Sequence, residues 1–227
     1  MVATVDFFLS RCEREFTATE IILTATDKFH AEGLRRCCID VAKWAVSKGR
    51  EWVVIQWAGD GGKPYRIPSW YASMDNRSDE TKMSIADENP QGLEQMLVIP
   101  ELGLDFNGVY YNEHPILFYD FEDGDIVFAN LAAVRAQQKK AKQLIGSSGA
   151  SLNFPEEFER RVERVWNGER LRGYENEAMR WWRDPDSGTF RRKRMQFVSN
   201  AGKTNFLGTE CWYSHTIKAV DTGRFVG

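Results

Sequence analysis

Residues 116–133 read ILFYDFEDGDIVFANLAA, and this stretch decides the fold. Two apolar runs, 116–121 and 126–129, flank Glu122-Asp123-Gly124-Asp125. A glycine among acids between two β-prone runs is hairpin chemistry, because glycine reaches the left-handed backbone that a tight turn needs. Asn130 follows directly, and its short amide can accept the first free N–H groups of a helix starting at Leu131. The order is therefore strand, turn, strand, helix.

Moving toward the C-terminus, helical residues continue to about Ile145, where Gly146 interrupts them. Pro155 suits the first turn of another helix, since its missing N–H would have no partner there. Phe158, Val162, Val165 and Trp166 recur on one face of that helix, and Gly168 ends it. Three strand-like runs close the chain: 171–182, 190–198 and 206–216. Asp184-Pro185-Asp186-Ser187-Gly188 and Asn200-Ala201-Gly202-Lys203 read as the turns between them. Residues 220–227 are left as a tail.

Moving toward the N-terminus, the organisation changes near Asn112. Residues 1–112 hold 17 acids and 12 bases, whereas residues 113–227 hold 16 acids and 18 bases. The boundary is expected there, with an α+β region of unassigned type before it and a second domain at 113–219. Residues from about 110 onward are expected to fold alone, because a sheet face and its covering helices both lie within them. In the first region Thr17-x-x-Glu20 fits a capping box and predicts a helix running to Phe29 or His30. Apolar spacing from Leu34 predicts a second helix ending at Gly49. Strands at 51–57 and 65–72 are expected around Gly59-Asp60-Gly61-Gly62, followed by a polar, acid-rich loop at 74–90.

The pieces ILFYDFEDGDIVFANLAA, QLIGSSGASLNFPEEFERRVERVWNGERLRGYE, DPDSGTFRRKRMQFV and AGKTNFLGTECWYSHTIK, in this order across residues 114–218, resemble a PAS domain. The resemblance rests on Asn130 as helix cap, Gly146 before the helix opened by Pro155, Gly168 after it, and Gly208 following an aromatic start of the last strand. It implies a five-stranded antiparallel sheet with helices packed over one face. It also implies sensing, with a small molecule or cofactor between sheet and helices altering a partner contact. The resemblance speaks against two chemistries of that family. Residues 140–149 hold no cysteine to form a covalent flavin adduct, and residues 155–167 hold no histidine to ligate haem. The cofactor is left unassigned.

In the flavin-binding relatives the position two after the glycine of the last strand points into the pocket. Here that is Glu210. Strand alternation then groups Phe206, Gly208, Glu210 and Trp212 on the inner face, while a slip of one residue turns Glu210 to solvent. A carboxylate inside would need a hydrogen bond, a proton or a cationic ligand. Met179, Trp181 and Met195 join Phe206, Glu210 and Trp212 as pocket candidates. Trp181 and Trp182 must point to opposite faces of their strand, so one can pack beneath the helices while the other lies on the outer sheet face, as ordinary core or as a partner surface.

Other features have plainer readings. Arg191-Arg192-Lys193-Arg194 alternates between strand faces, which splits the charge, and the net charge of −3 argues against general nucleic-acid binding. It is expected to form a solvated edge or to pair with the acids of 74–88. Asp120, Glu122, Asp123 and Asp125 lack the spacing of a calcium loop, and residues 59–62 lack the lysine of a phosphate loop. Cys37 and Cys38 lie on a helix where only one of the two can face the core, and His30, His114 and His215 are too scattered to suggest a metal. No nucleophile elbow and no paired carboxylates stand out, no apolar run is long enough to span a membrane, and no secretory leader is evident. The expectation is a cytoplasmic, non-catalytic sensory or regulatory protein. It would take a small organic ligand or a protein partner, or self-associate, without nucleic acid or membrane. A ligand-free dimerisation adaptor, and a small enzyme with its active site between the two halves, are the rival readings.

Overall fold

The computed structural model describes residues 5–59, 64–75, 97–206 and 209–226. The chain divides into two compact units, Met1–Gly92 and Leu93–Gly227.

The first unit opens with α1 (Val5–Leu9), then β1 (Cys12–Phe16) and β2 (Glu20–Ala25). Helices α2 (Lys28–Arg36) and α3 (Cys38–Ser47) lead to β3 (Trp52–Trp57) and β4 (Tyr65–Pro68). The sheet order is β1-β2-β3-β4, with β2 and β3 parallel and both outer pairs antiparallel. The helix expected from Thr17 is a strand. Ile21, Leu23 and Ala25 alternate into the core, and the β-branched Ile21, Ile22 and Thr24 favour that period of two. Thr17 and Glu20 instead close the β1–β2 turn, where Thr17 Oγ1 accepts the Glu20 N–H at 2.9 Å. The helix begins later, where the Asp27 carboxylate accepts the His30 N–H at 2.9 Å. Ala31, Leu34, Val41, Ala42 and Ala45 are fully buried on the helical side, and Val53 and Ile55 on β3 are equally buried. Gly49 has the left-handed backbone expected after α3, at φ 64°. The expected strand 65–72 stops at Pro68 and continues as a 3₁₀ helix, Ser69–Asp75. The glycine-rich turn from residue 60 and the acidic loop from residue 76 lie outside the described residues.

The second unit contains α4 (Phe106–Tyr110), β5 (Ile116–Asp120), β6 (Ile126–Ala129), α5 (Leu131–Ala136), α6 (Ala141–Leu144) and α7 (Pro155–Trp166). Three long strands follow: β7 (Leu171–Arg183), β8 (Phe190–Phe206) and β9 (Thr209–Val226). All pairs are antiparallel, in the order β6-β5-β9-β8-β7. The single helix expected over 131–145 is broken in two, with Gln138 at φ 51° between the halves. The break has a use. The Gln137 and Gln138 side-chain carbonyls accept the Trp181 and Arg183 N–H groups at 3.0 and 2.6 Å, satisfying donors that the outer edge of β7 would otherwise leave open.

The turn expected at 200–203 is absent. Strand β8 runs straight through it, and Phe206 pairs with Thr209, so the reversal falls between those two residues. Gly202 is needed for close approach: a Cβ there would lie 2.2 Å from Glu101 Oε1 and 3.2 Å from the Tyr213 ring. The expected tail is also strand, since Lys193 pairs with Phe225 and Arg192 with Val226.

Both faces of the β5-β9 region are covered. Leu117, Tyr119, Trp212 and Ser214 share one face through the direct pairs Leu117–Ser214 and Tyr119–Trp212, and Phe158 of α7 packs against Tyr119 and Trp212 there. Phe118, Phe128, Phe206 and Tyr213 share the other. That second face is covered by residues 97–112. Leu97 bridges to Phe206, the Thr204 hydroxyl donates to the Val98 carbonyl at 2.7 Å, and the Tyr110 ring lies 6.4 Å from that of Phe128. The segment assigned by composition to the first region thus completes the core of the second unit.

Candidate functional site

Helix α7 positions the site. Its buried stripe is Phe158, Arg161 and Val165, while Trp166, expected on the apolar face, is 56% exposed. An arginine therefore faces inward, with 3% of its surface accessible. Asn153, just before the helix and also buried, is held by donating its amide to the Gly149 carbonyl at 2.7 Å. Arg161 Nη2 donates to Asn153 Oδ1. The Tyr119 hydroxyl is hydrogen-bonded to Asn153 as well, and burial pushes its pKa up to about 12 even though the Arg161 charge opposes the shift. Burial in turn lowers the pKa of Arg161. Trp212 is fully buried and stacks on Tyr119, with ring centroids 4.3 Å apart and planes inclined by 17°. The Arg161 guanidinium lies 5.7 Å from the Trp212 ring centroid.

Beside this cluster, between the sheet and helices α5 and α7, is a cavity of about 50 Å³. Its lining mixes apolar Leu117, Leu152 and Met179 with polar Asn153, Arg161, Asn176, Ser199 and Ser214. Asn176 and Ser199 satisfy each other in part, the hydroxyl donating to Asn176 Oδ1 at 3.3 Å.

A five-stranded antiparallel sheet, helices over one of its faces, Asn130 capping α5 and Pro155 opening α7 are now in place. The second unit has the architecture that the PAS resemblance implies. No family model matches the sequence of the chain, and no curated protein does. Among solved structures, similarity is found to the PAS domain of an HTR-like protein from Haloarcula marismortui, at 11% identity and TM-score 0.34, over 50% of this chain and 87% of that one. A PAS domain from Desulfitobacterium hafniense matches at 15% identity and TM-score 0.33, over 51% and 98%. The PAS domain of nitrogen regulation protein NR(II) from Vibrio parahaemolyticus matches at 12% and 0.34, over 54% and 99%.

The pocket candidates of the second unit separate. Trp212 and Met179 lie on the helix-covered side, Met179 lining the cavity. Phe206 is buried on the opposite face, against Phe118 and Phe128 at 5.6 Å each. The displaced reversal explains this, because the chain turns back between Phe206 and Thr209 rather than at 200–203, which changes the parity between Phe206 and Trp212. Met195 is buried beside Ala178 without lining the cavity. Trp181 lies at the β7 edge with Lys139 Nζ 3.8 Å from its ring centroid. Trp182 packs with Phe225 on the long hairpin.

Glu210 shares the face of Trp212 but sits at the rim. Its side chain is 53% exposed and pairs with Lys203 Nζ at 3.1 Å, so the expected buried carboxylate is a solvent-facing ion pair. Exposed pairs contribute about 0–1 kcal/mol. Glu210→Gln is accordingly expected to change stability by less than about 1 kcal/mol in denaturant titrations, and a loss several times larger would place the carboxylate in the core after all.

The basic run pairs within its own sheet: Lys193 with Asp221 at 2.8 Å, Arg194 with Glu177, and Arg191 over the Phe225 ring at 3.9 Å. Asp120 Oδ1 accepts the Glu122 N–H, which makes that acidic cluster the polar turn expected of it. Among the described residues no group of three His, Cys, Asp or Glu side chains is placed to hold a metal, and no helix is long and apolar enough to cross a membrane.

Proposed function

We propose that the chain is a sensory or regulatory protein whose PAS-like domain responds to a small molecule and passes the response to a protein partner or a second copy. One observation carries the reading: a cavity lined by Arg161, Asn153, Asn176, Ser199 and Ser214 lies between sheet and helices, where packing alone would favour an apolar core. Its size limits the occupant. About 50 Å³ holds roughly three to five water-sized groups, against roughly 300–1,000 Å³ for a drug-sized ligand. A flavin- or haem-sized group would require the helices to move apart. The same size favours, as a second reading, the dimerisation adaptor whose pocket its own side chains fill. Exposed Phe190, Ile217, Val220 and Phe225 on the β8–β9 hairpin supply apolar surface for a partner under either reading. A cytoplasmic setting fits both.

Native mass spectrometry of the purified full chain separates them. Sensing predicts a mass excess from a retained small molecule, lost on denaturation and on substitution of Arg161. A bare dimer with no binding to any small-molecule panel would support the adaptor, and a bare monomer would count against both.

A further inference from the structure

We infer that the cavity beside α7 takes a small carboxylate of formate-to-propionate size, with Arg161 as its main anchor. The inference deepens the sensing proposal above and rests on it. Its basis is a local imbalance of donors over acceptors. Arg161 Nε and Trp212 Nε1 are buried donors without a hydrogen-bond partner among the described residues. Both residues are at least nine-tenths buried, and their side chains neighbour each other. Arg161 lines the cavity, and buried donors ordinarily find acceptors, so its open Nε points to an acceptor supplied from outside the chain, with Trp212 beside it as a reporter.

Charge points the same way. The one carboxylate within 4 Å of the Arg161 guanidinium among the described residues is Glu157, with Oε1 3.9 Å from Nε, an ion-pair distance too long for a hydrogen bond. Glu157 is already engaged: Arg160 binds its Oε2, and the Tyr174 hydroxyl donates to its Oε1 at 2.9 Å. Two guanidiniums thus share one carboxylate, and the inner one is the one denied water. The rest of the inner shell, Asn153 and Tyr119, is neutral. A monocarboxylate supplies one negative charge and two acceptor oxygens that match a guanidinium edge. The volume admits about three to five heavy atoms, which excludes aromatic acids and citrate-sized anions.

The test is titration of the full-length protein with sodium formate, acetate and propionate, using benzoate and tetramethylammonium chloride as controls at constant ionic strength. Two readouts are followed: thermal unfolding, and the indole N–H resonance of Trp212, assigned by its loss in Trp212→Phe. The expected result is saturable stabilisation with a saturable indole shift for the small carboxylates, and neither for the controls. Arg161→Met is expected to weaken the apparent affinity roughly tenfold or more, and Arg161→Lys to retain part of it. If Arg161→Met does not fold, the wild-type indole titration decides. A flat indole resonance with all three carboxylates, or an unchanged affinity in a folded Arg161→Met, overturns the inference. A neutral or cationic molecule retained in native mass spectra overturns it too, while leaving the sensing proposal standing.

Discussion

A fragment of residues 93–227 is expected to unfold cooperatively, and a fragment of residues 113–227 to be molten or insoluble. The shorter piece keeps every strand and the helices of one face, yet it strips the other face. Leu97, Ile99, Val109 and Tyr110 are all fully buried in the second unit. Each large apolar side chain taken from water contributes about 1.5–3 kcal/mol, so these four carry on the order of 6–12 kcal/mol. A typical domain has only about 5–15 kcal/mol in total. Truncation also exposes Phe118, Phe128, Phe206 and Tyr213 on the uncovered face, and removes the carbonyl acceptors that Val98 and Val109 offer to Thr204 and Asn130. Near-ultraviolet circular dichroism and denaturant melts of the two fragments decide it. Cooperative unfolding of the shorter piece would return the boundary to residue 112.

That boundary shows what the sequence could carry. Composition changes near Asn112, but composition reports charge on a surface, not which face a segment covers. The pairing of Leu97 with Phe206 joins residues more than a hundred positions apart, and no local pattern encodes it. The hairpin 116–129, its cap at Asn130 and the helix from Pro155 were legible because turn, cap and first-turn residues are chosen by local backbone chemistry. Asn200-Ala201-Gly202-Lys203 has the same chemistry and misled. There the glycine makes room for Glu101, and the chain reverses later, which put Phe206 and Trp212 on different faces. Arg161 was within reach of the sequence. It stands three residues after Phe158 and four before Val165, squarely on the stripe that α7 buries. An arginine at such a position signals either a buried ion pair or a ligand. Thr17 and Glu20 show the converse case, a helix-start motif used to close a strand turn.

Asn130→Asp is expected to destabilise the protein by about 3–5 kcal/mol at pH 7 and by much less near pH 4, because it puts a charge where only an amide fits. Asn130 is fully buried and joins three segments. Its Oδ1 accepts from the Ile116 and Ala133 N–H groups at 2.9 Å each. Its Nδ2 donates to the carbonyls of His114, Val109 and Asn112 at 2.9, 3.2 and 3.3 Å. Aspartate keeps the acceptor side and loses the donor side. Ionised, it would face three carbonyl oxygens without water; protonated, its single O–H can serve one of them. The folded state therefore favours the proton and raises the carboxyl pKa above the unfolded value of about 3.9. A raised folded pKa means that the stability of the protonated form is fully present below about pH 3.9 and is lost as pH climbs through the folded value. Each unit of elevation corresponds to about 1.4 kcal/mol. The deficit relative to wild type should widen from pH 4 to pH 7 in urea melts, and Asn130→Ala, which carries no charge, should show no such widening. A deficit independent of pH would mean that the carboxylate finds a donor or water there. The grip of Asn130 on the segment that closes the second sheet face would then be looser than its five hydrogen bonds indicate.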